Sequence, residues 1–231
     1  MLKPTTPTRQ DVPASRPQIK ICGLTAAREA EACAAAGADA IGFISFPRSP
    51  RHLADDQIRS ITRRLPAHVC PVGVFVNAPF EQIMKTVTLG GLRAVQLHGR
   101  EDAALVETLV EEGLVVIKAL FVNGDPGLTA ASHYRPTAFL VECAGGPLPG
   151  GNALDWNWAE ARDIPTELPV VLAGGLTPDN IQYAIAAGRP DAVDVSSGVE
   201  VSPGRKDARK VQAFCRAVAS CDPKDGKTVF G

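Results

Sequence analysis

The sequence lacks an excess of charge of either sign, because 24 Lys and Arg residues face 25 Asp and Glu residues, for a formal net charge of −1. Proteins that bind nucleic acids through phosphates carry a basic surplus, so no nucleic-acid partner is expected. Long hydrophobic runs are also missing: apolar stretches such as residues 114–120 and 169–173 fall far short of the roughly 18 residues of a membrane helix. No membrane span is therefore expected.

Cysteine and histidine pairs at metal-binding or redox spacing are absent as well. The cysteines are Cys22, Cys33, Cys70, Cys143, Cys215 and Cys221, with no C-x-x-C pair, and His52, His68, His98 and His133 form no i, i+4 pair. We therefore expect reduced thiols and no metal. The first 17 residues are rich in Thr and Pro and lack the apolar region of a secretory signal, so a cytoplasmic protein is expected.

What the sequence does contain is a regular alternation of short β-branched stretches with longer Ala- and Leu-rich stretches. Strands are predicted at 18–22, 40–44, 72–76, 94–97, 115–119, 138–142, 170–173 and 192–195. Eight βα units in 231 residues predict an α/β fold, a single-domain (β/α)8 TIM barrel over residues 18–220. An open doubly wound sheet is the alternative, but no G-x-G-x-x-G follows the first strand. Residues 1–17 and 221–231 are predicted to be flexible tails.

Two helix boundaries are predicted from capping residues. Thr25 is expected to cap a helix over residues 26–36 that stops at Gly37. Thr177, which is followed by Pro178, is expected to cap a second helix that ends at Gly188.

In a TIM barrel the catalytic side chains lie at the carboxyl ends of the strands. Polar and small residues collect there in this sequence: Lys20, Cys22, Arg48, Arg51, Asn77, Gln96, His98, Lys118, Glu142, Gly174, Gly175, Asp194, Ser196, Ser197 and Gly198. The glycine pair follows the seventh strand and residues 196–198 follow the eighth, where many such barrels hold a phosphate on backbone N–H groups. The glycine pair alone fits a tight turn as well as a phosphate site, but its placement together with residues 196–198 favours a phosphate site.

Cys22 and Glu142 are candidates for acid–base chemistry. Most buried cysteines are inert. However, Cys22 ends the first strand with Lys20 on the same face, and a nearby ammonium is expected to lower the pKa of the thiol. Glu142 ends the sixth strand, where a carboxyl group is either solvated and idle or placed across the barrel from the cysteine. The second arrangement suits isomerisation of a sugar phosphate.

Three more polar side chains have both a plain and a functional interpretation. Arg51 is either a surface charge or a guanidinium fork for a substrate carboxylate. His98 and Asp194 are either a half-buried histidine and a capping carboxylate or parts of the site. If the barrel closes, the eighth strand lies beside the first, and Asp194 is then expected to pair with Lys20.

Several segments, taken in order, resemble the phosphoribosylanthranilate isomerase family. They are KICGLT at 20–25, GADAIGF at 37–43 with SPR at 49–51, VGVFVN at 72–77, VQLHG at 95–99, LAGGLT at 172–177 and DVSSGVE at 194–200, followed by Pro203, Gly204, Lys206 and Asp207. The similarity runs over most of the chain.

The resemblance implies a TIM-barrel enzyme of tryptophan biosynthesis that needs no metal or cofactor. The implied reaction is the Amadori rearrangement of N-(5-phosphoribosyl)anthranilate to 1-(2-carboxyphenylamino)-1-deoxyribulose 5-phosphate. A carboxylic acid, here Glu142, protonates the ribose ring oxygen, and Cys22 removes the C2 proton of the resulting Schiff base. Arg51 matches the contact to the anthranilate carboxylate. The other implied contacts are Lys20, Gln96, His98 and Asp194 to the substrate, and Gly174, Gly175, Ser196, Ser197 and Gly198 to its phosphate.

The sequence departs from the family pattern around the acid. The family usually carries an aspartate where this chain has Glu142, which adds a methylene and moves the carboxyl group by about an ångström. The segment from Gly150 to Trp156 resembles the family's glycine-rich loop but is about two residues shorter. Asp155 is a fallback acid, and a helix cap is the more natural role for it.

Other functions remain as alternatives. Ribulose-phosphate epimerases need metal ligands at several strand ends, where His98 is the one histidine, and indole-glycerol-phosphate synthases carry further strand-end lysines that the second strand here lacks. A relative that also accepts a histidine-pathway substrate would need a different base at Cys22. A barrel that binds a phosphorylated ligand without turnover is the alternative outside enzymes. The altered acid and loop support it, and the intact cysteine, arginine and phosphate segments argue against it. A monomer is expected, because no exposed apolar stripe stands out.

Overall fold

The computed structural model describes residues 16–143, 156–222 and 226–231. Its barrel strands are β1 (Gln18–Cys22), β2 (Ala40–Ile44), β3 (Cys70–Phe75), β4 (Ala94–Leu97), β5 (Val115–Val122), β6 (Ala138–Cys143), β7 (Val170–Leu172) and β8 (Ala192–Val195). They form a closed parallel barrel in chain order, in which β1 pairs with both β2 and β8. The predicted TIM barrel is confirmed, and the open sheet is wrong.

The helices fill the connections unevenly. The α-helices are α1 (Ala27–Ala35), α2 (Asp55–Thr62), α3 (Phe80–Gly90), α4 (Ala103–Glu111), α5 (Ile181–Gly188) and α6 (Ala208–Ala219). After β5 and β6 the described residues form the 3₁₀ helices Leu128–His133 and Trp158–Asp163 instead. In the first of these connections Gly124, Pro126 and Gly127 leave room for a single short helix, because Pro and Gly both disfavour helix interiors. None of the described helices is long and apolar enough to cross a bilayer.

The two predicted helix caps are wrong. Thr25 does not cap α1, because its hydroxyl donates instead to the carbonyl of Gly204, at 2.6 Å. The helix predicted after Thr177 begins four residues later, at Ile181, with Asn180 before it. The Asn180 carboxamide accepts from the Thr177 N–H and donates to the Gly175 carbonyl, so the polar groups of this segment are paired in a turn rather than a helix.

A strand–turn–strand hairpin follows β8. It consists of β9 (Glu200–Ser202) and β10 (Arg205–Lys206), which pair antiparallel before α6 begins. Glu29 of α1 accepts hydrogen bonds from the Arg205 guanidinium and from the Lys206 N–H, so the hairpin is bonded to helix α1 on the outside of the barrel. The same hairpin places two charged residues, Glu200 and Lys206, at the catalytic end.

The carboxyl-terminal residues 226–231 are not a loose tail, and the prediction for this part is wrong. Val229 and Phe230 are both 6% exposed and pack with small barrel residues that include Ala40, Ala94 and Ala192. The Gln18 carboxamide accepts from both of their N–H groups and donates to the Phe230 carbonyl. Small side chains leave the amino end of the barrel unfilled, so this short segment completes the core. Residues 1–15 of the predicted amino-terminal tail lie outside the described residues.

Phe230→Ala is expected to lower the free energy of unfolding by about 3 kcal/mol, because a buried aromatic ring is lost and small neighbours cannot fill its space. Urea unfolding followed by circular dichroism measures this change. Thr228→Ala is the matched control, because Thr228 is exposed in the same segment. Equal unfolding midpoints for the two variants would contradict the packed position of Phe230.

Candidate active site

The predicted site residues meet at the carboxyl end of the barrel. Lys20 and Cys22 lie on β1, Gln96 on β4, His98 just after β4, Glu142 on β6 and Asp194 on β8, and Arg51 follows β2. All seven are 8% exposed or less. Arg48 is exposed and contributes nothing to this group. Asp155 and the loop of residues 144–155 lie outside the described residues.

Cys22 is enclosed by Lys20, Asp194 and the backbone of β2. The Lys20 ammonium donates to Asp194 Oδ2 at 2.8 Å across the β1–β8 pair, which confirms the expected contact. Gly42 is the β2 neighbour of Cys22, and a methyl group on Gly42 would lie 2.7 Å from Cys22 Sγ and 3.1 Å from Lys20 Nζ. Thiol and ammonium therefore share the space that a glycine leaves open.

The electrostatics of Cys22 differ from the expectation. Burial raises the pKa of the thiol, the Lys20 ammonium lowers it, and burial outweighs Lys20, so the pKa is raised overall. The prediction of a lowered pKa is thus wrong in sign. For Lys20, burial alone would lower the pKa, but Asp194 and Cys22 raise it and outweigh burial. The pKa of Lys20 is therefore raised overall, and Lys20 stays an ammonium. The resting cysteine is a thiol beside a permanent positive charge.

Glu142 is held by a line of side chains that begins on β4. Gln96 Nε2 lies 3.0 Å from His98 Nδ1, and His98 Nε2 lies 3.3 Å from Glu142 Oε1. If the Gln96 amide donates, His98 carries its proton on Nε2 and donates to Glu142. The His98 and Phe121 rings also pack perpendicular to each other, with ring centres 5.4 Å apart. Gln96 and His98 were predicted as substrate contacts, and they here orient the carboxyl group.

A second buried ion pair supports the loop that carries His98. The Lys118 ammonium is fully buried and donates to Glu101 Oε2 at 2.9 Å and to the Gly99 carbonyl at 2.7 Å. The other Glu101 oxygen accepts from the N–H groups of Asn77 and Gly99. Glu101 had no role in the sequence prediction, since nothing in its local sequence marks it.

Arg51 is also paired, with a residue that the sequence prediction assigned no role. Its Nε and Nη2 donate to the two carboxylate oxygens of Glu200 at 2.9 and 2.6 Å. The Lys206 ammonium lies 2.7 Å from the same carboxylate and donates to the Ser196 carbonyl at 3.1 Å. Both partners belong to the segment that resembles the known family, and that similarity was the available signal for them.

The loops after β7 and β8 form a continuous backbone surface. Gly174 and Gly175 have φ of 85° and 67°, which favours glycine. A methyl group on Gly198 would collide with the Leu176 carbonyl oxygen, so the two loops are in direct contact. Both glycine segments are half-buried and open to solvent.

Ser196 joins this surface to Cys22. Its hydroxyl donates to the Cys22 carbonyl at 3.0 Å, so its backbone N–H rather than its hydroxyl is the donor left for an anion. On the other side, a methyl group on Gly174 would lie 3.3 Å from Glu142 Cβ. The candidate phosphate site thus lies between the thiol and the carboxyl group. Among the residues that the structure describes, no group of three or more His, Cys, Asp or Glu side chains could hold a metal ion.

The sequence is similar to known proteins over most of its length. The family model described as N-(5'-phosphoribosyl)anthranilate (PRA) isomerase matches residues 19–217. The N-(5'-phosphoribosyl)anthranilate isomerase of Desulfatibacillum aliphaticivorans is 49% identical over 197 residues, which cover 85% of this chain and 90% of that protein. The enzyme of the same name from Geobacter metallireducens is 43% identical over 199 residues, or 86% and 97% of the two chains.

Solved structures give the same result. Phosphoribosyl anthranilate isomerase from Thermotoga maritima has a TM-score of 0.79 at 37% identity, over 87% of this chain and 98% of that one. A phosphoribosyl anthranilate isomerase in complex with reduced 1-(o-carboxyphenylamino)-1-deoxyribulose 5-phosphate has a TM-score of 0.76 at 37% identity, over 87% and 97%. The similarity in both comparisons spans the whole barrel.

Proposed function

The chain belongs to the N-(5'-phosphoribosyl)anthranilate isomerase family, and we infer that it converts N-(5-phosphoribosyl)anthranilate to 1-(2-carboxyphenylamino)-1-deoxyribulose 5-phosphate. The observation that supports this inference most directly is that a thiol and a carboxyl group flank glycine-rich loops at one end of the barrel. A thiol beside an ammonium lies on β1, a carboxyl group held by a histidine lies on β6, and glycine-rich loops lie between them.

We propose that Glu142 opens the sugar. In its acid form it donates a proton to the ribose ring oxygen, the bond between C1 and that oxygen breaks, and the nitrogen lone pair forms a Schiff base at C1. Glu142 is left as a carboxylate, and a His98 ring that carries its proton on Nε2 donates a hydrogen bond to it. His98 thereby stabilises the charge that Glu142 acquires in this step.

Cys22 then acts as the base. Its thiolate takes the proton from C2, and the electrons of that bond move into the Schiff base to give an enolamine, which tautomerises to the ketone. The Lys20 ammonium stabilises the thiolate and is itself fixed by Asp194. C1 is reduced and C2 is oxidised within one molecule, so the reaction is an intramolecular oxidoreduction of the aldose–ketose type and requires no external oxidant.

The substrate's two anionic ends fit two regions of the site. Arg51 lies buried in the loop after β2, against Gly23, where the guanidinium N–H groups that donate to no described residue suit the anthranilate carboxylate. The backbone N–H groups of the two loops suit the phosphate, because glycine permits close approach of an anion. These loop residues are Gly174, Gly175, Ser196, Ser197 and Gly198. Holding both ends fixes C1 and C2 between Cys22 and Glu142.

Turnover distinguishes this function from the alternative of a barrel that only binds a phosphorylated ligand. We expect the purified protein to remove the fluorescence of N-(5-phosphoribosyl)anthranilate with saturation kinetics and without added metal. Binding of the reduced product analogue together with no loss of fluorescence would support the binding protein instead. The cytoplasmic location and the monomeric state are proposals that rest on the sequence, and subcellular fractionation and light scattering test them.

The pH dependence of kcat/KM is expected to report the thiol. Burial raises the pKa of Cys22 and Lys20 lowers it, and the base must be a thiolate, so kcat/KM is expected to climb with pH from neutrality into the alkaline range. Lys20→Met is expected to move this climb to higher pH. In the double variant Lys20→Met/Asp194→Asn, kcat/KM is expected to increase over a pH range between those of the single variant and the wild type. The reason is that the Asp194 carboxylate itself raises the pKa of Cys22, and the double variant lacks it. Identical profiles in all three proteins would show that Cys22 is not the titrating base.

A further inference from the structure

We propose that Glu200 is a positioning residue that fixes which edge of Arg51 faces the substrate, and that it thereby selects substrates with a carboxylate on the arylamine. The proposal rests on the proposed function, in which Arg51 binds the anthranilate carboxylate. It concerns a residue 149 positions away from Arg51 in the sequence, in the hairpin β9–β10.

The geometry of the guanidinium group carries the argument. Arginine has five N–H donors in one plane, and a carboxylate can occupy two of them side by side. Glu200 takes one such pair, formed by Nε and one hydrogen of Nη2. The other pair consists of the second hydrogen of Nη2 and one hydrogen of Nη1, and Nη1 donates to no described residue. The fork that remains therefore has the shape for a second carboxylate.

Arg51 is unable to turn away from this orientation without moving its neighbours. Its Cδ lies against Gly23, where a methyl group would be only 2.5 Å away. Glu200 is in turn held by three donors on Oε1, which are Arg51 Nε, Lys206 Nζ at 2.7 Å and the Gly204 N–H at 3.1 Å. The orientation of the guanidinium is thus fixed from two sides, by packing and by a carboxylate that is itself fixed.

The charge of the cluster points to the same ligand. Arg51 and Lys206 contribute two positive charges and Glu200 one negative charge, and all three side chains are 7% exposed or less. Burial alone would raise the pKa of Glu200, but Arg51 and Lys206 outweigh it, so the carboxylate stays ionised. Burial lowers the pKa of Lys206, and Glu200 opposes this effect. With Lys206 as an ammonium, the three side chains carry one unbalanced positive charge, which favours one monoanionic group of the substrate.

A comparison of two substrates separates this role from a purely structural one. The substrates are N-(5-phosphoribosyl)anthranilate and N-(5-phosphoribosyl)aniline, which differ only by the carboxylate. Glu200→Gln keeps the size of the side chain but loses its charge and one acceptor. We expect this variant to lower kcat/KM for the anthranilate substrate by roughly 30-fold, chiefly through a higher KM, and to change kcat/KM for the aniline substrate by less than about threefold.

Glu29→Gln is the matched control, because Glu29 holds the same hairpin through Arg205 and the Lys206 N–H but does not contact Arg51. It is expected to leave the ratio of the two kcat/KM values unchanged. If Glu200→Gln does not fold, Glu200→Asp is used, which keeps the charge but shortens the side chain. Its loss is expected to be smaller and again restricted to the anthranilate substrate.

Equal losses for both substrates in the Glu200 variant would overturn the proposal. Arg51→Met tells this failure apart from a failure of the proposed function. If Arg51→Met loses activity selectively on the anthranilate substrate while the Glu200 variant does not discriminate, Arg51 binds the carboxylate and Glu200 is only structural. If Arg51→Met does not discriminate either, the carboxylate binds elsewhere, and both the assignment of Arg51 and the role of Glu200 are wrong.

Discussion

Cys22→Ser is expected to lower kcat by about 10³-fold, because a well-positioned general base contributes roughly 10² to 10⁴-fold to the rate. A serine hydroxyl is a far weaker acid than a thiol, so it does not supply the anionic base. The serine hydroxyl is similar in size to the thiol that it replaces beside Gly42, so the barrel is expected to remain folded. KM is expected to change little, because Arg51 and the glycine loops still hold the substrate. Steady-state assays of substrate fluorescence measure both constants.

Cys221→Ser serves as the control for removal of a cysteine. Cys221 is half-buried beyond the end of α6, away from the site, and its loss is expected to leave kcat within about twofold. If Cys22→Ser retains most of the wild-type kcat, a different group removes the proton and the assignment of the base is wrong.

Glu142→Gln is expected to lower kcat by about 10²- to 10⁴-fold, because the amide keeps the shape of the side chain but cannot donate a proton to the ring oxygen. The affinity for the reduced product analogue is expected to stay within about threefold, since the amide preserves packing and the phosphate and carboxylate contacts are untouched. Titration calorimetry measures this affinity, and rapid assays measure kcat.

Glu142→Asp is the conservative partner of this variant. Aspartate has the same acid group and is what the resemblance to the family implies at this place, so most of kcat is expected to remain. Equal losses in the glutamine and aspartate variants would mean that the position of the carboxyl group matters as much as its proton. Full activity in Glu142→Gln would mean that another acid opens the sugar.

The sequence predicted the barrel and the meeting of the site residues because both follow from local patterns. Continuous apolar runs such as residues 170–173 indicate buried parallel strands, and closure of eight strands brings Lys20 beside Asp194. The wrong helix caps have two other origins. Thr25 and Thr177 have the right residue type for a cap, but the Thr25 hydroxyl donates to the distant Gly204 carbonyl. Asn180 accepts from the Thr177 N–H and holds that segment in a local turn.

The features that escaped prediction depend on distance in the chain or on burial. Glu200 and Arg51 meet only in the folded protein, and the packing of Phe230 into the far end of the barrel needs small residues on several strands. The pKa of Cys22 was predicted in the wrong direction because the sequence shows the neighbouring ammonium but not the loss of water around the thiol. The direction of such a pKa shift can be worked out only when both the neighbouring charge and the burial of the titrating group are known.

The fate of the C2 hydrogen tests the central claim most directly, since the account holds that Cys22 removes it after Glu142 has opened the ring. Substrate with deuterium at C2 is converted by the wild-type protein, and mass spectrometry of the product follows the label. We expect turnover with a primary isotope effect on the chemical step and with part or all of the deuterium lost to solvent through the cysteine thiol. Complete transfer of the deuterium from C2 to C1, which a direct hydride shift would give, or binding of this substrate without turnover, would contradict the account.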